Sequence, residues 1–368
     1  MMTARSKVLL IEDNPERGRQ IEAALKAALK PSVIVERFDI STKVVKGAYE
    51  DRLMLTLKKR EYSNLGLIVT DRDLSASTSY PGLSEAPISK VARQLSVPVC
   101  IYAAGKYDSF LERHRSGGGG RIILSSADLG AMARTVRVLA DGFDRLRVLV
   151  EAISRSKRKR QKYQGPATVL AELLDAREVV DQLALYSRGD QRMIDGLTPS
   201  RPTQIVPGGL QTDVRSVALA LGVWLYDSIL RFPGVVLDRA SGASFLGVEG
   251  KSLEKSDVMR AFEEAQYRGP FADPEEPRWW RHRLVELLKS KGAADGRAFI
   301  KKVTGKMPHP CVCSVDGKAP AGFLCVMTCK PVCEEHSVGQ VGWLPRGADL
   351  ARVTKDIYEK IGPWIGMS

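Results

Sequence analysis

The sequence predicts an α/β fold class: a parallel-sheet domain at the N-terminus, then a mostly α-helical domain that carries a small zinc finger. Three observations predict it. Short apolar runs alternate with helical patterns through the first third of the chain, as βαβ units require. Residues 167–300 then read as mostly helical. Finally, five of the six cysteines fall between Cys311 and Cys333, with His336 three residues beyond.

Composition sets the limits. The 368 residues suffice for two or three domains, and 44% hydrophobic with 27% charged residues is ordinary for a globular chain. No run of eighteen apolar residues occurs, so no membrane span is expected. The N-terminus lacks a signal-peptide pattern, which leads us to expect the cytoplasm, where clustered cysteines bind metal rather than pair. The net charge of +13 makes an acidic partner plausible: nucleic acid, an acidic protein or a nucleotide.

Lys7 to Ile11 is a short apolar run that reads as a strand buried on both faces. It ends in Glu12-Asp13-Asn14-Pro15, and a helix follows through Ile21, Ala24 and Leu25. Leu65 to Val69 ends at Thr70-Asp71, Val97 to Tyr102 ends at Ala103-Ala104-Gly105, and a fourth run covers Arg121 to Leu124. In parallel sheets functional residues collect at the carboxyl ends of strands. Glu12, Asp13 and Asp71 all fall there, which would bring three carboxylates together.

Residues 5–140 resemble the receiver domain of bacterial response regulators, a flavodoxin-like fold. The likeness rests on Val8-Leu-Leu-Ile-Glu-Asp13, on Leu67-Ile-Val-Thr-Asp71 and on Val97-Pro-Val-Cys-Ile-Tyr-Ala103. It implies that Glu12 and Asp13 hold Mg²⁺ and that Asp71 accepts phosphate. Two positions depart from the family. Its hydroxyl residue after the fourth strand falls on Ala103, and its lysine ending the fifth falls on Leu124-Ser125-Ser126, beyond glycines 117–120. The departures suggest a pseudo-receiver, with the fold kept and the phosphoswitch lost or altered. Asp71-Arg72-Asp73 also permits another reading. With Glu12 it resembles the Mg²⁺ site of Toprim nucleases, although Asp13-Asn14 follows the glutamate where that family has glycine.

From Asp128 a long helix is expected, with Met132, Val136, Leu139, Phe143, Leu146, Leu149 and Ile153 recurring at three and four residues. Its stripe could pair with a second copy in a homodimer or pack within the chain. It ends in a basic run, Arg155, Lys157, Arg158, Lys159, Arg160 and Lys162, before Gly165-Pro166. Such a run grips phosphates or forms a solvated helix end.

Further helices are expected over Thr168–Tyr186, Val214–Leu230, Val258–Tyr267, Arg278–Leu288 and Gly347–Trp364. Trp279-Trp280 on a helix would point in different directions, with one tryptophan in the core and the other free for a partner. His282 has no evident cysteine or acidic partner. The region has no nucleophile elbow, P-loop or dinucleotide fingerprint, which makes an enzyme the less favoured class.

Cys311, Cys313, Cys325, Cys329, Cys333 and His336 are candidate ligands for zinc, because thiolate and imidazole favour tetrahedral zinc. His309 and Asp316 stand in reserve, while Glu334 and Glu335 read as solvated charges. One structural zinc is expected, with two as the alternative. The segment resembles small treble-clef and B-box-like fingers.

The expected domains are thus 1–127 (receiver-like), 128–165 (long helix with a basic end), 166–305 (helical), 306–345 (zinc finger) and 346–368 (C-terminal helix). The leading reading is a cytoplasmic bacterial regulatory or adaptor protein that binds a protein partner in signalling or a defence-type system. The alternatives are nucleic-acid binding through the basic run and the finger, and an enzyme of Toprim-like nuclease or ligase-like type.

Overall fold

The structure is a computed structural model. It describes residues 6–31, 33–38, 49–59, 62, 64–74, 84–102, 121–124, 128–155, 165–186 and 214–365. The chain divides into two compact units, 1–162 with 192–223 and 163–191 with 224–368.

In the first unit, strands β1 (Lys7–Ile11), β2 (Ile34–Arg37), β3 (Leu65–Asp71), β4 (Val99–Tyr102) and β5 (Arg121–Ile123) form one sheet in the order β2-β1-β3-β4-β5. Every pairing is parallel. This is the flavodoxin-like order that the receiver resemblance implies; the apolar runs implied a parallel sheet but did not include β2. Leu9, Ile11, Ile68 and Ile101 share a core with residues of α2 (Tyr49–Leu57) and α3 (Glu85–Gln94). The two-residue alternation turns Val8, Leu10, Val69 and Cys100 to the other face. There α1 (Pro15–Ala28) packs against α4 (Leu129–Arg155). Asn14 caps α1, its side chain accepting from the backbone N–H groups of Glu16 and Arg17.

The expected long helix is α4, 27 residues in one piece. Its stripe is buried at Met132, Val136, Leu139, Phe143, Leu146 and Ile153, while Val150 replaces Leu149 as the fully buried position. The α-helix advances 3.6 residues per turn, so the buried face drifts along a 27-residue helix. α7 (Val214–Trp224) crosses α4 closely: a Cβ on Gly222 would lie 2.4 Å from the Phe143 ring. The stripe is therefore used inside the chain, which weakens the case for pairing two copies through it. Of the basic run only Arg155 is described. It is exposed and pairs with Glu151 at 2.5 Å. Lys157, Arg158, Lys159, Arg160 and Lys162 lie outside the described residues, as do Ala103, Ser125 and Ser126.

The second unit begins with α5 (Pro166–Leu173) and α6 (Val180–Ala184), which replace the single helix expected over 168–186. Asp175, with φ at 50°, turns the chain between them. A π-helical turn, Leu225–Ile229, follows α7. β6 (Val236–Leu237) pairs antiparallel with β7 (Trp279–Trp280), and α8 (Arg239–Leu246), α9 (Ser256–Ala261), α10 (Arg281–Ser290) and α11 (Gly296–Thr304) surround one core.

The tryptophans are the first correction. They form a strand rather than a helix start, and both are buried, Trp279 at 1% and Trp280 at 2% exposure. Trp280 meets Tyr267 edge to face at 5.3 Å, so neither ring is free for a partner. His282 also has an acidic partner, Glu178 Oε1, 2.8 Å from Nε2. That partner lies 104 residues away, beyond any local pattern.

A four-stranded sheet near the C-terminus runs β10-β11-β8-β9, with β8 Phe323–Cys325, β9 Lys330–Val332, β10 Ser337–Val338 and β11 Ala351–Thr354. This is the second correction, because the helix expected over 347–364 is β11 followed by α12 (Lys355–Ile365). β11 buries Ala351, Val353 and Thr354 and pairs with β8 and β10, a choice made by distant strands. Among the described residues no helix is long and apolar enough to cross a membrane.

Candidate metal centre and acidic pocket

Two short loops with the same spacing meet in the second unit: Cys313-Ser-Val-Asp316 and Cys333-Glu-Glu-His336. In the first, Asp316 Oδ1 accepts the Lys318 N–H at 3.0 Å, Gly317 N–H donates to Cys313 O and the Cys313 N–H donates to Lys318 O. Gly317 adopts φ 72°, which its lack of a Cβ permits. In the second, Ser337 Oγ donates to Cys333 O at 2.6 Å and Ser337 N–H to Glu334 O. The Lys355 N–H then donates to His336 O, fixing the loop to the end of β11. Arg352 adds a clamp, reaching Glu334 at 3.1 Å while stacking 4.0 Å from the Phe323 ring.

The ligand atoms of Cys313, Asp316, Cys333 and His336 all lie within 4.8 Å of one another. His336 Nδ1 stands 3.1 Å from Cys333 Sγ, 3.9 Å from Cys313 Sγ and 3.9 Å from Asp316 Oδ2. Metal–ligand bonds of about 2.0–2.3 Å put the edges of a coordination tetrahedron at roughly 3.3–3.8 Å. The four side chains are close enough to bind a metal ion.

Electrostatics favour a cation there. Burial opposes ionisation of Cys313, but the N–H groups of Val315, Cys333 and Asp316 outweigh it and hold the thiol below its ordinary range. Burial raises Cys333, the His336 N–H opposes it, and the negative fields of Cys313 and Asp316 push it up further. The Lys318 N–H holds the Asp316 carboxyl low. The site gathers negative charge that a bound cation would neutralise.

Three of the six expected ligands are thus brought together, joined by Asp316 from the reserve. The other three are not among the ligand atoms that gather in this group. The Cys311 thiol faces Ser244 Oγ at 3.7 Å, and Cys325 packs beside Cys313 and Val332 in a small core. Cys329 is exposed, in a turn with φ at 55°. The repeated two-residue gap was the available signal, since Cys-x-x-Asp and Cys-x-x-His each present two ligands from one turn.

In the first unit the acidic pocket sits at the carboxyl ends of β1, β3 and β4. Glu12 is 4% and Asp71 7% exposed. Tyr102 donates its hydroxyl to Glu12 Oε2 at 2.7 Å, and the Asn14 N–H donates to Oε1 at 3.0 Å. Arg17 approaches Oε2 at 3.7 Å with its guanidinium 5.4 Å from the Tyr102 ring centroid. Asp71 Oδ1 accepts the Asp73 N–H at 3.2 Å. Burial raises both carboxyls above their ordinary values. For Glu12 the Asn14 N–H and the Tyr102 hydroxyl oppose this, and Asp71 adds to it. For Asp71 the Asp73 N–H and Arg17 oppose it, and Asp13 adds to it.

Asp13 Oδ2 is buried without a hydrogen-bond partner. Among the described residues, however, Glu12, Asp13 and Asp71 do not converge as tightly as the Cys313 group. Asp73, the extra carboxylate of the nuclease reading, is exposed. The roles of Tyr102 and Arg17 had no sequence signal, because each needs the folded sheet end.

No family model matches the chain, and no curated protein matches it.

Proposed function

We propose that this is a cytoplasmic regulatory adaptor of bacterial signalling type, whose receiver-like unit works without an aspartyl phosphate and whose second unit holds one structural zinc. One observation carries the adaptor reading. The Glu12 carboxylate that would receive Mg²⁺ is already engaged by the Tyr102 hydroxyl, the Asn14 N–H and the Arg17 guanidinium. A cation supplied by the chain itself offsets the pocket's charge, so the sheet end stands as a fixed surface rather than a switch.

Zinc suits a donor set of two thiolates, one imidazole and one carboxylate, with Cys313, Asp316, Cys333 and His336 filling a closed tetrahedron. The zinc would supply rigidity. The chain's own residues set the rest: Ser337, Lys355 and Arg352 orient the second loop, and the Lys318 N–H orients Asp316.

Incubation of the purified chain with Mg²⁺ and acetyl phosphate is expected to leave Asp71 unmodified in the intact mass. A phosphorylated Asp71 would overturn the adaptor reading. The ligand set has its own test. Elemental analysis should give about one zinc per chain, kept by Cys311→Ser and Cys329→Ser. Asp316→Ala and Cys333→Ala should weaken zinc binding by about tenfold or more. Loss of zinc from Cys329→Ser would reject the assignment.

Arg352→Gln, which removes the clamp on Glu334 but no ligand, should weaken zinc by up to about tenfold without lowering its stoichiometry. Competition with a chromogenic chelator would measure it, and unchanged affinity would show that the clamp does not position His336.

A further inference from the structure

Two thiols of the candidate metal centre stand face to face, and the backbone beside them holds them there. The sulfurs of Cys313 and Cys333 lie within 4.8 Å of one another, and both thiols are free. The Cys333 N–H donates to the Cys313 sulfur. The Ser314 N–H donates to Pro331 O at 2.9 Å, so the two chain segments are already joined next to the cysteines. A disulfide brings its sulfurs to about 2.0 Å. The hydrogen bond between Ser314 and Pro331 keeps the remaining approach short.

The two thiols differ in access. Cys313 is 1% exposed, whereas Cys333 is half-buried, its sulfur 3.1 Å from His336 Nδ1. A small oxidant arriving from solvent therefore meets Cys333 first, with Cys313 behind it. The remaining cysteines are placed otherwise. Cys100 is fully buried in the first unit, and Cys311 is buried with its thiol toward Ser244 Oγ. Cys325 is fully buried in the small core. Cys329 is exposed, but its sulfur is not among the atoms that gather at the centre.

We propose that Cys333 and Cys313 form a redox switch, in which hydrogen peroxide joins them in a disulfide and so releases the metal. The inference rests on the zinc assignment above and names how that site is regulated. The Cys333 thiolate attacks the peroxide: an S–O bond forms, the O–O bond breaks and hydroxide leaves. The Cys313 thiolate then attacks the Cys333 sulfur, forming the S–S bond and expelling a second hydroxide. Two protons from solvent convert both hydroxides to water. The sulfurs have then lost two electrons and the peroxide has taken them up. Only Asp316 and His336 are left as ligands, too few for a closed tetrahedral site. A dithiol reverses the bond by exchange and restores the full donor set.

The test uses the full zinc-loaded chain, hydrogen peroxide as the oxidant and a chromogenic chelator that reads free metal. About one zinc per chain should be released. Peptide mapping after the free thiols are blocked should find one disulfide, between Cys313 and Cys333. Dithiothreitol followed by added zinc should return the chain to its starting metal content. Cys311→Ser and Cys329→Ser, which touch neither sulfur of the pair, should release zinc at an unchanged rate. Slower release from Cys329→Ser, a disulfide between any other two cysteines, or zinc retained while Cys329 is already oxidised would each overturn the proposal. Its failure is separable from that of the zinc reading. About one zinc at the start with no bond between Cys313 and Cys333 rejects only the switch. A chain that takes up no zinc at the start rejects the assignment on which the switch rests.

Discussion

On the proposed zinc assignment, stripping the metal should unravel residues 311–338 while leaving the tryptophan core of the second unit intact. The apolar cluster in this segment consists of Cys313, Cys325 and Val332, with Phe323, Met327 and Cys333 at its edge. That is too little burial to hold two short hairpin strands and two tight loops. Structural zinc contributes about 10–16 kcal/mol of apparent binding energy in isolated fingers, far more than this cluster provides. The effect here should be smaller, because β11 and the Val248–Pro310 bridge tie the segment to the rest of its unit. Hydrogen exchange before and after chelation measures it. The Ser314 N–H, bonded to Pro331 O, and the Cys313 N–H, bonded to Lys318 O, should lose protection. Trp279, packed with Leu237, Phe262 and Phe299 in a separate cluster, should keep its fluorescence. Unchanged protection across 311–338 would mean that the metal is not structural.

The second large effect is expected at Glu12. Its folded pKa is raised above 4.5, chiefly by burial. The folded state therefore binds the proton more readily than the unfolded chain does. Stability of the first unit should fall as pH rises from about 4.5 through the raised value, and stay lower above it. Asp71, raised above 3.8 by the same cause, adds to this slope from its own starting point. Glu12→Gln removes a charge that burial disfavours, so it should raise the urea midpoint at neutral pH and flatten the pH profile. Tyr102→Phe acts in the opposite direction. It removes the 2.7 Å hydrogen bond to a charged, buried oxygen and should cost about 1.5–3 kcal/mol near pH 7. Once Glu12 is protonated the loss should shrink to about 0.5–1.5 kcal/mol, the value of a neutral pair. If Tyr102→Phe costs the same in the Glu12→Gln background at neutral pH, the coupling does not exist.

Elements with a purely local signal could be read from the chain alone. Lys7–Ile11 and Leu65–Val69 are apolar runs long enough for buried strands, and Met132 to Ile153 repeats at helical spacing, so these elements were readable without neighbours. The metal-binding chemistry of this segment was readable too, because clustered thiols and an imidazole are ligand types that suit a metal ion. Asp71 and Glu12 could be placed at strand ends for the same reason. Tertiary structure decided what depends on distant partners. Trp279-Trp280 became a strand because Val236-Leu237 pairs with it, and Ala351–Thr354 became one because β8 and β10 flank it. It also chose Asp316 over Cys311, whose thiol turns toward Ser244, 67 residues away. Above all, it set Tyr102 and Arg17 against Glu12. Composition says that a tyrosine and an arginine are present. Only the folded sheet end brings the hydroxyl, the guanidinium and the buried carboxylate within reach of one another.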